Sequence, residues 1–260
     1  MDESLTISLV QTDTIWENIP ANLERLTEKV DLLKNNTDVI VLPELFTTGF
    51  TMNAAALAES MLGTGVSWML EVAKSRNCLV IGSLLIEESE NFYNRLIVAF
   101  PEGHSEYYDK RHLFSFAGED NVFTAGQKKL VFEYKSFRIC PLICYDLRFP
   151  VWARNTEEID LYIFVANWPS ARMLAWDTLL KARAIENLSY VIGVNRVGKD
   201  NNDLIYTGHS AVFDALGDTI LTFESGIGIT GSITIEKGHI ELIRKQYRFL
   251  EDQDDFEIKS

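Results

Sequence analysis

Three residues of different chemistry each follow directly on a run that reads as a strand. Cys144 stands where Arg138–Ile143 gives out and Tyr145-Asp146-Leu147-Arg148 begins. Glu44 follows the apolar run Asp38–Leu42, and Lys110 follows Ser105–Asp109. In an α/β sheet the space beyond the carboxyl ends of strands is where ligands bind. A sharp strand-to-helix junction also projects a nucleophile outward and leaves backbone N–H groups to hold an oxyanion. A thiol, a carboxylate and an ammonium then divide one reaction between them. The carboxylate takes the thiol proton, and the thiol attacks a carbonyl or nitrile carbon. The ammonium, helped by the Tyr145 N–H, holds the charge that develops. The carboxylate next protonates the departing amine and later activates water. That order of events hydrolyses an amide or a nitrile through a thioester.

Each residue taken alone has a plainer reading. Free cysteine is among the most buried residue types, glutamate caps helices, and lysine is usually a solvated surface charge. The case rests on the three together, and on the elements that position them.

Leu5–Val10 reads as a first strand. Ile19, Leu23, Leu26, Val30 and Leu33 form one helical stripe, closed by Asn35-Asn36. The stretch 47–64 reads as a loop, and Val66–Arg76 as a short helix. Cys78–Ile86 and Phe92–Phe100 form a hairpin about an acidic turn. Lys110 opens a long irregular segment through Gly126, and such segments are uncommon unless functional. Leu130–Tyr134 pairs with the strand leading to Cys144. Leu161–Ala166 is a continuous apolar strand that ends in Asn167-Trp168-Pro169. A helix follows over 172–188, with Leu174, Leu179, Ala182 and Ile185 as its packing stripe. Tyr190–Val194, Ser210–Asp214, Thr219–Phe223 and Gly226–Ile235 are further strands, and from Lys237 the chain reads as a polar, acidic tail. Helices alternate with strands, so the class is mixed α/β with sheet faces covered by helices. No break in composition marks a linker, which gives one domain over residues 1–260.

With 47% apolar and 24% charged residues the composition is that of a globular protein, and the net charge of −14 argues against nucleic acid and anionic membrane surfaces. Three cysteines make no disulfide framework and fit a reducing, cytoplasmic setting. No signal peptide or membrane-length span is evident. No His/Cys/Asp cluster has the spacing of a metal site, so neither a metal nor a cofactor is expected.

The chain resembles the nitrilase or carbon–nitrogen hydrolase superfamily along nearly its whole length. Leu42-Pro43-Glu44-Leu45-Phe46 is similar to the segment that carries the family's general base. Tyr108–Phe114 is similar to its lysine segment, and Ile143–Pro150 to its nucleophile segment. The resemblance makes Glu44 the base, Lys110 the oxyanion-stabilising cation and Cys144 the attacking thiol. It makes Glu119 a second glutamate that orients the substrate amide or the lysine. It implies an α-β-β-α sandwich that dimerises through sheet-flanking helices, with a C-terminal tail of about 244–260 packed on a partner subunit.

Within the superfamily, Asn167-Trp168-Pro169, Lys181–Asn187, Gly193–Gly198 and Gly208-His209-Ser210 resemble the omega-amidase-like branch. The implied substrates are short 2-oxo dicarboxylic acid monoamides, such as 2-oxoglutaramate and 2-oxosuccinamate. An acid of that kind needs a cation for its distal carboxylate, and Arg172 is the candidate, because a guanidinium binds a carboxylate in bidentate fashion. Trp168 either walls the pocket or fills core, and Tyr145 faces the substrate. Arg148 reads as a structural partner for Asp146.

Other mechanisms compete. Gly208-His209-Ser210-Ala211-Val212 is close to a serine nucleophile elbow but has Val212 where that motif needs glycine. A Cys–His enzyme would draw on His112, which lies in the lysine segment. A metabolite binder that keeps the fold without turnover, an amidase for another small linear amide, and acyl transfer to an acceptor other than water also remain open.

Overall fold

The central strands are apolar at successive positions because both of their faces are covered. In the computed structural model, which describes residues 3–258, β1 (Ser4–Gln11), β2 (Val39–Val41) and β3 (Leu79–Glu88) run parallel, side by side. Leu5, Ile7, Leu9, Val39, Val41, Leu79 and Ile81 point to the main core. Val10, Ile40, Leu42 and Val80 point the other way, as the two-residue repeat of a strand demands. There they meet α1 (Ile19–Asp31) through Leu23, Leu26 and Val30, and a later helix, Thr64–Arg76, through Val66, Met69 and Ala73. The Asn18 side chain caps α1 by accepting the Ala21 N–H at 3.1 Å. The stretch expected as loop, 47–64, holds one short turn of helix, α2 (Ala54–Leu57), ahead of α3 (Thr64–Arg76). Antiparallel strands complete this sheet: β4 (Asn91–Ala99) and β5 (Ser105–Asp109) on one side, the final strand Ile229–Glu236 on the other.

The second sheet repeats the plan. β7 (Phe137–Ile143), β8 (Leu161–Ala166) and β9 (Tyr190–Asn195) run parallel, with β6 (Phe132–Tyr134) on the outer side of β7. On the other edge β12 (Ala211–Phe213) and β13 (Thr219–Thr222) follow β9. Between them the chain makes a separate hairpin of β10 (Val197–Lys199) and β11 (Ile205–Thr207), too short to read from sequence. The two sheets face each other across the main core, α4 (Met173–Asn187) covers the outside of the second, and α5 (Lys237–Tyr247) docks where β8 and β9 begin. This is the α-β-β-α sandwich that the sequence led us to expect.

Two expectations need correction. Of the expected α4 stripe Leu179 does pack on the core, but Leu174 is 83% and Ile185 48% exposed. The buried face is Met173, Trp176, Leu180, Arg183, Ala184 and Asn187. Arg183 and Asn187 spend their polar atoms on the Leu147 and Ala153 carbonyls, at 2.7 and 2.9 Å. A stripe sought among apolar residues alone is therefore rotated off the true face. Gly193 of β9 lets α4 close in, since a Cβ there would meet Leu180 at 2.4 Å and Trp176 at 2.7 Å. The second correction is α5, which lies in the supposed polar tail. Only Ile240 and Ile243 anchor it, and Arg244 adds bonds to Asp160, Ile159 and Leu188 of this same chain.

Candidate active site

The parallel strands of both sheets end at one side of the molecule, and the register brings their ends level. Ile143 pairs with Val165, and Ala166 with Asn195, so Cys144 and Asn167 each start the chain's exit from its sheet. At β2 the exit is tight: Leu45 has φ +43°, its N–H donates to Ser83 Oγ at 2.8 Å, and its carbonyl accepts from Gly49 at 2.8 Å. Glu44 is thereby turned into the interior, with no exposed surface. Cys144 also has φ +43°, a left-handed conformation costing a non-glycine residue about 1–2 kcal/mol. A 3-10 turn, Cys144–Arg148, follows it.

Lys110 follows β5, whose end is fixed by the buried Arg95, bidentate on Asp109 at 2.6 and 2.9 Å. The irregular segment that starts here makes two 3-10 turns, Ser115–Ala117 and Glu119–Asn121, and then returns. The Gly126 N–H donates to the Lys110 carbonyl at 2.9 Å. Gly126 has to be glycine, because a Cβ would lie 2.1 Å from the Asp109 carbonyl oxygen.

Lys110, Glu44 and Glu119 form one buried cluster. The Lys110 ammonium donates to Glu44 Oε1 at 2.9 Å and to both oxygens of Glu119, at 3.0 and 2.9 Å. The Asn94 amide bridges the two carboxylates at 2.8 and 3.2 Å, and the Phe114 N–H holds Glu119 at 2.5 Å. Glu44 Oε2 accepts the Asn167 N–H at 2.7 Å. Burial alone would push the Lys110 pKa down, but the charges of Glu119 and Glu44 outweigh it, and the ammonium is held well above its ordinary value. Burial raises Glu119, opposed by Lys110. Burial also raises the Cys144 thiol, and the charge of Glu44 adds to the effect, against Lys110. The resting thiol is therefore neutral and lies in the field of the Glu44 carboxylate. Such a pair can ionise as the sulfur attacks, with the proton passing to the carboxylate.

Cys144 and Lys110 open onto a cavity of about 450 Å³. Trp16, Phe50, Phe114, Tyr145, Trp168 and Tyr206 give it aromatic walls. Tyr145 is set edge-on to Phe114 and Phe149, with centroids at 5.0 and 5.1 Å. Arg148 and Arg172 are its cations, lying over the rings of Trp168 at 4.9 Å and Phe114 at 5.0 Å. Among the described residues neither has a carboxylate partner. Of the expected substrate-facing residues, Tyr145, Trp168 and Arg172 line the cavity. Glu119 does not: it is fully buried behind Lys110, which leaves the lysine as what it orients.

Arg148 is not the partner of Asp146. Both oxygens of Asp146 are taken by Ile143, Tyr108 and His112, and Arg148 is left to the cavity. His112 lies outside the cavity, its Nδ1 on Asp146 at 2.7 Å and its ring stacked on Phe149. Ser210 is fully buried, its hydroxyl engaged by the Asn195 backbone, which removes the serine elbow. Among the described residues no group of His, Cys, Asp and Glu could hold a metal ion, and no helix is long and apolar enough to cross a membrane.

The sequence reading missed Asn94, which lies inside the strand read as Phe92–Phe100 and shows there only as a buried polar residue. It also missed the far wall, where Asp200 accepts the Tyr206 hydroxyl at 2.8 Å and the N–H groups of Asn202 and Leu204.

Comparison with known proteins gives the chain a family. The chain matches the carbon-nitrogen hydrolase family over residues 6–230. Omega-amidase YafV of Escherichia coli (strain K12) is 40% identical over 256 residues, 98% of either chain. The 2-oxoglutaramate amidase of Bacillus subtilis (strain 168) is 35% identical over 217 residues, 82% of this chain and 83% of its own. XC1258 of Xanthomonas campestris, a CN-hydrolase superfamily protein with an arsenic adduct in its active site, superposes with a TM-score of 0.96 at 41% identity, covering 98% of this chain and 99% of that one. This chain belongs to the carbon–nitrogen hydrolase family, as a hydrolase of carbon–nitrogen bonds other than peptide bonds.

Proposed function

We propose that this amidohydrolase cleaves the terminal amide of short 2-oxo dicarboxylic acid monoamides, 2-oxoglutaramate and 2-oxosuccinamate, to the acid and ammonia. The observation that carries the reading is the geometry of one site: Cys144 and Lys110 open on the same cavity, Glu44 and Glu119 hold the Lys110 ammonium from behind, and two arginines of the cavity have no carboxylate partner among the described residues. Relatives named for omega-amidase and 2-oxoglutaramate amidase activity support the substrate class.

In the proposed reaction Cys144 Sγ attacks the amide carbon while its proton passes to Glu44. Lys110 Nζ and the Tyr145 N–H stabilise the tetrahedral oxyanion. Glu44 then gives the proton to the amide nitrogen, the C–N bond breaks, and ammonia leaves a thioester on Cys144. Water, deprotonated by Glu44, attacks that thioester, releasing the acid and returning the proton to sulfur. Glu119 keeps Lys110 aimed throughout, and Trp168 forms the wall. Arg172 takes the substrate carboxylate, and Arg148 offers a second cation within the same cavity.

The test is ammonia release by wild type and Cys144→Ala from 2-oxoglutaramate, 2-oxosuccinamate, glutamine, asparagine, an aliphatic amide and a nitrile. Rapid Cys144-dependent turnover confined to the 2-oxo acid amides is expected. Preference for another amide would retain the chemistry and discard the substrate. The cavity volume gives that second reading a footing, since about 450 Å³ exceeds the needs of a small 2-oxo acid.

We further propose a cytoplasmic homodimer or higher homo-oligomer. The three cysteines are unpaired, and the outer face of α4 leaves Leu174 uncovered. The C-terminal segment rests on its own chain as far as Gln253, Leu250 packing on Leu188 and Ile243 and Gln253 accepting from Arg154 at 3.1 Å, whereas Phe249, Phe256 and Ile258 are exposed and available to a partner subunit. Light scattering on the purified protein reads the oligomeric state directly.

A further inference from the structure

Asp146 lies two residues beyond the nucleophile, with no exposed surface and all of its bonds accounted for. Oδ2 accepts the Ile143 N–H at 3.0 Å and the Tyr108 hydroxyl at 2.8 Å. Oδ1 accepts the His112 N–H at 3.1 Å and faces His112 Nδ1 at 2.7 Å. Tyr108 is held in turn, since its oxygen also accepts the Arg111 N–H and Trp152 Nε1, each at 3.1 Å. The His112 ring lies flat on Phe149, with centroids 3.7 Å apart and planes within 5°.

The bond to Ile143 is what any aspartate makes when it closes a turn after a strand, and alone it would imply nothing more. The other three reach the first sheet. Tyr108 lies in β5 just before Asp109 and His112 lies just inside the irregular segment, so they flank Lys110 on either side. One carboxylate thus joins the residue before Cys144 to the residues around Lys110. It does so where Cys144 holds a strained left-handed backbone, a conformation that persists only when its surroundings over-determine it.

We propose that Asp146, acting with Tyr108 and His112, is a positioning residue: it fixes the distance between the nucleophile turn and the lysine segment. The inference rests on the hydrolytic reading above, because the geometry it protects is that of Cys144 against Lys110 and Glu44. It adds to that reading a clamp that touches neither substrate nor reacting atom.

Asp146→Asn divides the clamp. The amide keeps one oxygen for Ile143 and Tyr108, but turns an NH2 group toward the His112 N–H, so the lysine-side half opens. Tyr108→Phe cuts the other half and leaves Asp146 charged. Both variants, in the full chain, should lose at least about tenfold in kcat with KM within about twofold, since small misplacements near the reacting atoms cost rate more than binding. The loss should persist when each protein is assayed equally far below its own Tm. Independently of any amide, the pH midpoint for alkylation of Cys144 by iodoacetamide should fall in both variants, as the thiol is no longer held in the field of the Glu44 carboxylate.

Wild-type kcat and an unmoved alkylation midpoint in the folded variants would overturn the proposal. So would a loss of kcat that vanishes once stability is matched. If wild type releases ammonia from no amide, the functional reading has failed, and the alkylation midpoint alone decides for or against the clamp. Should Asp146→Asn not fold, Tyr108→Phe carries the decision.

Discussion

Asn167 grips Glu44 twice: its N–H donates to Glu44 Oε2 at 2.7 Å and its side-chain amide to the Glu44 carbonyl at 2.6 Å. The two residues belong to different sheets, so this contact sets where the carboxylate sits relative to the strands that carry Cys144. Asn167→Ala keeps the N–H bond and deletes the other. We expect a loss in kcat of about 10-fold to 100-fold, as for a slightly displaced base. Asn167→Asp, which sets a carboxylate against a carbonyl oxygen, should lose more. Steady-state kinetics beside a thermal melt separates displacement from unfolding, and a wild-type kcat in either variant would remove Asn167 from the support of Glu44.

Removing the cation from the cluster should cost stability as well as rate. Lys110→Met leaves two buried carboxylates facing each other, and breaking a buried pair in this way costs about 3–5 kcal/mol. Adding Glu119→Gln should return part of that loss without restoring turnover. Denaturant midpoints for the three proteins test it. A double variant less stable than Lys110→Met would show that the repulsion is not what destabilises the single one.

Burial and then the charge of Glu44 raise the Cys144 thiol, which separates two readouts. A raised thiol is protonated through neutral pH, so alkylation by iodoacetamide should be slow at pH 7 and climb with pH. Cys144 should still label ahead of Cys78 and Cys140, because it opens on the cavity whereas both of those are buried in the core. Glu44→Gln should alkylate faster than wild type at a given pH while amide turnover collapses. Parallel loss of both would mean that Glu44 makes the nucleophile for any electrophile, and that its charge does not restrain the thiolate.

The two cavity arginines are separable by substrate charge. Arg172→Ala should raise KM for carboxylate-bearing amides and spare neutral ones, and Arg148→Ala is the control for the same cavity. If the charged and neutral amides suffer alike, the altered residue does not meet the carboxylate. If only Arg148→Ala discriminates, the carboxylate belongs there.

The buried thiols also write a pH dependence into stability. Cys78 and Cys140 titrate near 9.0 in the unfolded chain, against about 11 and about 12 when folded. Their folded pKa values lie above the unfolded ones, so their contribution is intact below pH 9 and is lost as pH rises through the folded values. Cys140→Ala should flatten the fall of Tm between about pH 9 and 12, whatever it does to Tm at neutrality. An unchanged slope would assign the alkaline loss to other groups.

What could be read without coordinates follows from how the site is built. Glu44, Lys110 and Cys144 each stop a strand, and an abrupt change from apolar to polar is a local signal. Asn94 carries no such signal of role: its neighbours in sequence say only that it is buried, and its two carboxylate partners arrive from distant segments. The phase of α4 was lost because Arg183 and Asn187 are buried polar residues whose hydrogen bonds, invisible in sequence, make burial tolerable. Helix α5 was lost because two isoleucines are a thin stripe, and its docking depends on Arg244 reaching Asp160. Arg148 was misassigned because adjacency in sequence suggested Asp146, whereas three-dimensional donors had already filled that carboxylate.

Gly126 closes the segment that Lys110 opens, and both ends hang on the same residue. The stretch between is topologically an eyelet. A change of length inside it, or a single cut at the exposed Phe116, leaves either half anchored beside the lysine. Changes of length that spare Glu119 can therefore be absorbed as the size of a loop on a fixed ring, while Glu119 keeps its hold on the ammonium.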